Sequence, residues 1–151
     1  MRQLTRGFTL IELMVTVTIA GLLLVAGLPA FADYIANSQL REGANQIVSG
    51  ALFARSEAIK RNGSVMVTVT SQRLVIAQAD GTPLRSLELP TRVRTSAFAA
   101  TFDSTGRPSP FGTDIVVNVS ANDRPCSSDL RCPAVHFEPG GAIVLCREGT
   151  C

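Results

Sequence analysis

The chain has 151 residues, 46% of them hydrophobic, and a formal net charge of +2. That composition is globular and not disordered, and it leaves room for one modest domain beside any membrane segment. The excess charge comes from Arg2 and Arg6 alone, since from Phe8 onward twelve basic residues face twelve acidic ones; bulk charge therefore gives no case for a nucleic-acid-binding protein.

The first element is an apolar run. Leu13 to Ala32 carries no charge and has the length of about 20 residues that a helix needs to cross a bilayer core. Glu12 stands at its outer edge with Phe8, Leu10 and Ile11 before it. A secretory signal peptide would explain the basic Arg2 and Arg6, the apolar core and the A-x-A pattern at Ala30 to Ala32. It gives no reason for a carboxylate whose burial costs about 2.5–3.5 kcal/mol at mid-helix and less near an end. A plain anchor with its N-terminus in the cytoplasm follows from the positive-inside rule and leaves Glu12 equally unexplained.

The string "RGFTLIEL", Arg6 to Leu13, resembles as a whole the class III leader of type IV pilin-like proteins. In such leaders a short basic peptide ends in Gly, the next residue is Phe, and Glu is fifth after the cut. The resemblance implies that residues 1–7 are a leader removed after Gly7 by a membrane-embedded prepilin peptidase, and that the new Phe8 amine is methylated. Residues 8–32 then remain as a transmembrane and assembly helix, with Pro29 where such helices often kink. It also gives Glu12 a role in assembly, meeting the Phe8 amine of a neighbouring subunit. Opposite charges in a low-dielectric layer attract strongly, while each left alone is costly.

Residues 33–62 continue the helix as an amphipathic half. Leu40, Ala44, Ile47, Val48, Ala51, Leu52, Ala58 and Ile59 recur at three- and four-residue steps, and Arg41, Glu42, Arg55, Glu57, Lys60 and Arg61 decorate it. "RNG", Arg61 to Gly63, predicts a stop at Gly63. From Phe8 to Asn62 the helix would be roughly 80 Å long at about 1.5 Å per residue, bent or opened at Pro29.

From residue 63 to 151 the period changes to that of strands. Ser64 to Thr70, Arg73 to Gln78, Leu84 to Leu89, Thr113 to Ser120, Ala134 to Glu138 and Ala142 to Cys146 are the predicted strands, with turns at "DGTP" and "PGG". The predicted fold is α+β, a long helix laid on antiparallel strands. Phe102 to Gly112 and Asn122 to Pro133 read as Pro/Gly/Ser-rich loops, more often plain connections than recognition loops. "ALFARSEAIKRNGSVMV", Ala51 to Val67, narrows the resemblance to the GspH/FimT family of minor pilins and pseudopilins. Some minor pilins of this kind carry a G-R-x-R motif for DNA; here "GGAIVLCREG" has Ala142 and Val144 in place of those arginines, and Arg147 alone remains nearby.

Four cysteines, Cys126, Cys132, Cys146 and Cys151, lie in the last 26 residues. Their even number points to disulfides in an oxidising compartment, and the five residues between the first two argue against a zinc pair. Local pairing of Cys126 with Cys132 and of Cys146 with Cys151 is the first choice, with cross-pairing of loop to tail as an alternative. The lone His136 belongs to no recognisable triad motif, so no enzyme activity, cofactor or metal is expected.

The functional reading is a minor pilin or pseudopilin of a type II secretion pseudopilus or type IV pilus. It would sit in the inner membrane with its N-terminus cytoplasmic and its β-rich domain periplasmic, and later enter a periplasmic or surface filament. Expected partners are prepilin peptidase, other pilins or pseudopilins, the inner membrane and secretion substrates. The alternative is a DNA-binding minor pilin for uptake, which needs Arg92, Arg94, Arg107, Arg124, Arg131 and Arg147 to converge. In "TRVRT" the first two would alternate onto one strand face.

Overall fold

The computed structural model describes residues 8–70, 72–109, 112 and 114–147. Gly7 and Cys151, singled out above, lie outside these residues. The chain divides into two compact units, Met1–Tyr34 and Ile35–Cys151, and the helix α1, Leu10–Arg61, contributes to both.

In the first unit the apolar side chains stand exposed, from Phe8, Leu10 and Ile11 to Leu28 and Phe31. This is the one helix among the described residues long and apolar enough to cross a membrane, with a mean hydropathy of 2.2 over its best window. Its threonines bond within the helix: the Thr16 hydroxyl donates to the Leu13 carbonyl at 2.9 Å and that of Thr18 to Met14 at 2.8 Å. A span needs such internal satisfaction where no water is at hand. The helix continues through Pro29.

In the second unit α1 buries Ala36, Leu40, Gly43, Ala44, Ile47, Gly50, Ala51, Ala54 and Ala58, the stripe that a 3.6-residue period lays along one face. Small residues dominate because strands lie close. A Cβ on Gly50 would come within 2.4 Å of Leu74, and one on Gly43 within 3.0 Å of Val93.

Among the described residues, nine strands form two sheets with antiparallel ladders throughout. β1 (Val65–Thr70), β2 (Arg73–Gln78), β3 (Pro83–Glu88), β5 (Phe98–Phe102) and β6 (Pro108–Ser109) order as β3-β2-β1-β5-β6. β4 (Val93–Thr95), β7 (Ile115–Ala121), β8 (Ala134–Phe137) and β9 (Ile143–Cys146) order as β4-β7-β8-β9. Leu74 is on β2 and Val93 on β4, so one helix face serves both sheets. Phe137 of β8 meets Phe98 and Phe102 of β5 at ring-centroid distances of 5.4 and 6.4 Å, joining the sheets in one core.

Several expectations change. β4 and β6 are too short for periodicity to reveal, and β5, "FAATF", is too rich in alanine. The presumed loop from Phe102 contains β6, whose Pro108 pairs with Phe102 itself. Arg92 and Arg94 do not share a strand face: β4 begins at Val93, and Arg92 lies in the preceding turn. Asn62, not Gly63, takes the left-handed position that ends α1, at φ 50°. The Gly63 amide then donates to the Ala58 carbonyl at 3.1 Å and that of Asn62 to Ile59 at 3.2 Å, the paired bonds of a Schellman cap.

Glu57 and Arg55 do more than decorate the helix. Glu57 is 8% exposed and accepts bonds from Arg61 at 2.7 Å and Lys60 at 3.4 Å. Arg55 crosses to the β8–β9 turn, where its Nη1 donates to the Gly141 carbonyl at 2.9 Å. Gly106 abuts the same arginine, leaving 3.1 Å between its missing Cβ and Arg55. Gly106 and Gly141 have φ of 77° and 90°, so both turns need glycine for backbone angle as well as space.

Candidate functional site

Two places carry chemistry: the start of α1 and the cleft beside the disulfide loop. At the first, Thr9 caps the helix. The Glu12 amide donates to Thr9 Oγ1 at 3.3 Å and the Leu13 amide to the Thr9 carbonyl at 3.2 Å. Thr9 and Glu12 are thus spaced as in the T-x-x-E capping signature, and Glu12 sits in the first turn, where the helix dipole favours a negative charge. Sequence reasoning passed over Thr9, although that signature was present. Phe8 and Glu12 are both exposed, so neither helps to pack the chain's own core.

At the second place, the disulfide Cys126–Cys132 closes a loop with a Cα separation of 5.7 Å, the expected local pair. Cys146 is also disulfide-bonded; its expected partner, Cys151, lies outside the described residues. Leu130 anchors the loop in the core at 2% exposure, and Asn37 of α1 pins it from the helix side. The Asn37 Nδ2 donates to the Asp129 carbonyl at 2.7 Å, while its Oδ1 accepts the Arg131 amide at 2.9 Å.

Between the loop, α1 and β9 lies a cleft of about 540 Å³ lined by residues that include Arg41, Asp129, Arg131, Leu145 and Arg147. Two of the six candidate arginines, Arg131 and Arg147, therefore meet there, joined by Arg41, which sequence reasoning had placed only as helix decoration. The other four do not join them in that lining. Arg92 pairs with Asp123 at 3.4 Å, and Arg94 lies opposite Ser120 on the edge strand β4. Arg107 follows Gly106, which packs on Arg55 and Ile59. Arg41 and Arg55 are fourteen residues apart on α1, a rise of about 21 Å, so Arg107 is near the opposite end of this unit's helix. Arg124 lies in the exposed segment before the disulfide. His136 Nε2 stands 3.3 Å from Asp114 Oδ1, a surface pairing.

Residues 2–28 match the prokaryotic N-terminal methylation motif. Residues 43–141 match the family described as Type II transport protein GspH, nearly two-thirds of the chain. The chain belongs to the GspH family. Among curated proteins, this GspH-family chain is 34% identical to fimbrial protein EcpC of Eikenella corrodens over 106 residues, 70% of this chain and 68% of that protein. A stretch of 43 residues is 56% identical to the type IV major fimbrial protein FimA of Dichelobacter nodosus, 28% of this chain and 27% of that one.

Among solved structures, the fold matches the Pseudomonas aeruginosa type IV minor pilin FimU with a TM-score of 0.61 at 18% identity, covering 74% of this chain and 91% of FimU. It also matches the minor pseudopilin EpsH from the type II secretion system of Vibrio cholerae, with a TM-score of 0.58 at 13% identity, covering 76% and 98%. The methylation motif implies processing by prepilin peptidase and assembly into filaments. With the apolar helix, family membership implies a membrane anchor bearing a periplasmic domain. Pilin and pseudopilin families are structural and not enzymatic.

Proposed function

We propose that this GspH-family protein is a minor subunit of a type II secretion pseudopilus or a type IV pilus, taking part in filament initiation or tip assembly. It is cut after Gly7, methylated at Phe8 and held in the inner membrane until it is assembled. Glu12 then meets the Phe8 amine of a neighbouring subunit. The observation that carries this reading is the exposed apolar segment of α1, charge-free from Leu13 to Ala32, with a single carboxylate in its first turn. An exposed surface of that kind requires lipid or other helices around it, and an acid at its edge requires a counter-charge.

The test is N-terminal sequencing and intact mass of protein recovered from membranes. A chain starting at Phe8, heavier by one methyl group, supports the reading; a start at Asp33 establishes a cleaved signal peptide in its place. Glu12→Val should leave membrane insertion intact or improved and lower recovery in sheared filaments by at least about tenfold, the effect of losing roughly 1.4 kcal/mol or more of pairing. Undiminished recovery would refute the role of Glu12.

A further inference from the structure

We propose that the cleft lined by Arg41, Arg131 and Arg147 binds the phosphate of an anionic phospholipid headgroup, docking the periplasmic unit on the membrane leaflet before the subunit enters a filament. The proposal rests on the membrane-anchored reading above. Among the described residues, three guanidinium groups line one cleft with one carboxylate, Asp129. Guanidinium groups match phosphate oxygens with two parallel hydrogen bonds, which an ammonium group does not. Ser128 adds a hydroxyl to the lining. Leu145, 39% exposed on β9, offers an apolar wall against which a glycerol backbone can lie.

The choice of a lipid over a soluble polyanion comes from connectivity and charge. Asn37 and Arg41 follow Tyr34, the last residue of the apolar unit, by three and seven positions. Even fully extended, seven residues reach no more than about 25 Å. The leaflet phosphates are therefore supplied at the high effective concentration that a short tether gives. A polynucleotide would have to be recruited from solution. From Ile35 onward the chain carries twelve basic and ten acidic residues, and Arg107 lies far from the cleft, so there is little long-range field to recruit it.

The experiment uses the full chain in nanodiscs of phosphatidylcholine, with and without phosphatidylglycerol, and follows amide hydrogen exchange at residues 127–133 and 143–147. Phosphatidylglycerol should slow exchange there several-fold in the wild type. Arg147→Gln should weaken the apparent lipid affinity about fivefold, the usual worth of one cation at an anionic surface, and Arg131→Gln with Arg147→Gln should abolish the slowing. Both side chains are exposed, and the Arg131 bond to Asn37 uses the backbone amide, so the pair of changes leaves the loop's anchor in place.

Exchange identical in the two lipids overturns the proposal while leaving the anchored reading intact. A chain that does not stay in the discs refutes the anchor and the proposal together. Equal protection in phosphatidylcholine discs by millimolar inorganic phosphate, or stronger protection by a DNA duplex at physiological salt, would also overturn it.

Discussion

Gly21 and Gly27, in the apolar unit, have no atom beyond their chain neighbours and the local helix backbone within 4 Å of where a Cβ would stand, whereas Gly43 and Gly50, farther along the same helix, face Val93 and Leu74 at 3.0 and 2.4 Å. The same contrast runs through the other small and branched residues. Leu22, Leu23, Leu24 and Val25 are exposed, while Leu40, Ala44, Ile47 and Ala51 are fully buried. One helix thus uses one apolar vocabulary in two ways. Up to Tyr34 the side chains await a lipid or protein neighbour that the monomer does not supply; from Ile35 they complete a core that it does. Residue type alone does not separate the two, but the presence of charge does. Arg41, Glu42, Arg55, Glu57, Lys60 and Arg61 interrupt the second stretch, and nothing interrupts Leu13 to Ala32.

The widest gap between the regions should appear on filling these glycines. Gly50→Val forces a branched side chain into the space of the fully buried Leu74, and overpacking of this kind costs about 1–3 kcal/mol. Gly27→Val meets nothing within the monomer and should leave the melting of the β-rich unit unchanged. Thermal unfolding of both variants in detergent checks the pair. If Gly50→Val melts like the wild type, the helix does not lie as close to β2 as the structure has it.

The disulfide Cys126–Cys132 should come next. A loop closed across six positions yields about 2 kcal/mol by the chain-entropy relation, so Cys126→Ser with Cys132→Ser should lower stability by about that much. The loss should be confined to the unit from Ile35 onward, with membrane insertion unaffected. Denaturant titration with and without reductant measures it.

A smaller effect is expected at Arg55, which ties the end of α1 to the turn at Gly141. Arg55→Met keeps much of the packing and removes the donor to a partly buried carbonyl, a loss of about 1–2 kcal/mol. Amide exchange should rise at the turns around Gly106 and Gly141 before it rises in β1 or β2. Uniform exchange across both sheets would show that Arg55 is not a local tie.

How much of this was legible in the sequence follows from the same division. The N-terminal methylation motif was legible because "RGFTLIEL" is a contiguous string, and the pair Cys126 and Cys132 because its chemistry is local. Strands β1 and β2 showed in alternation because each buries one face. What could not be read depended on partners distant in sequence. Arg55 reaches Gly141 across 86 positions, β6 exists only because Pro108 and Ser109 pair with β5, and the meeting of Arg41 with Arg131 and Arg147 needs Asn37 to hold a loop 92 positions away. Glu57 looked like a surface charge because the sequence does not show that its side of the helix is covered.

The least effect, and the one that tests the second unit's electrostatics, is the response to acid. Among the described residues, three carboxyls are held below their ordinary pKa. For Glu57 the cause is first the hydrogen bond from Arg61, against the opposing cost of desolvation, and then the charge of Lys60. For Asp80 it is the bonds from Thr82, and for Asp103 those from Thr105 and the Arg107 amide. A carboxyl depressed in the folded state binds its proton less readily than the unfolded chain does, so stability rises with pH where the unfolded chain titrates. The stabilisation is complete above the usual Asp and Glu range and is lost as pH falls through and below it. Melting temperature of the full chain in a neutral detergent should therefore be flat near neutrality and decline below about pH 4.5, where carboxyls of ordinary pKa begin to protonate. Glu57→Gln should shrink that decline. Asp103→Asn should shrink it too and loosen the β5–β6 turn, since Asp103 Oδ1 accepts from the Thr105 and Arg107 amides at 2.8 and 3.0 Å. A decline of equal size in both variants would place the acid-sensitive groups elsewhere in the second unit.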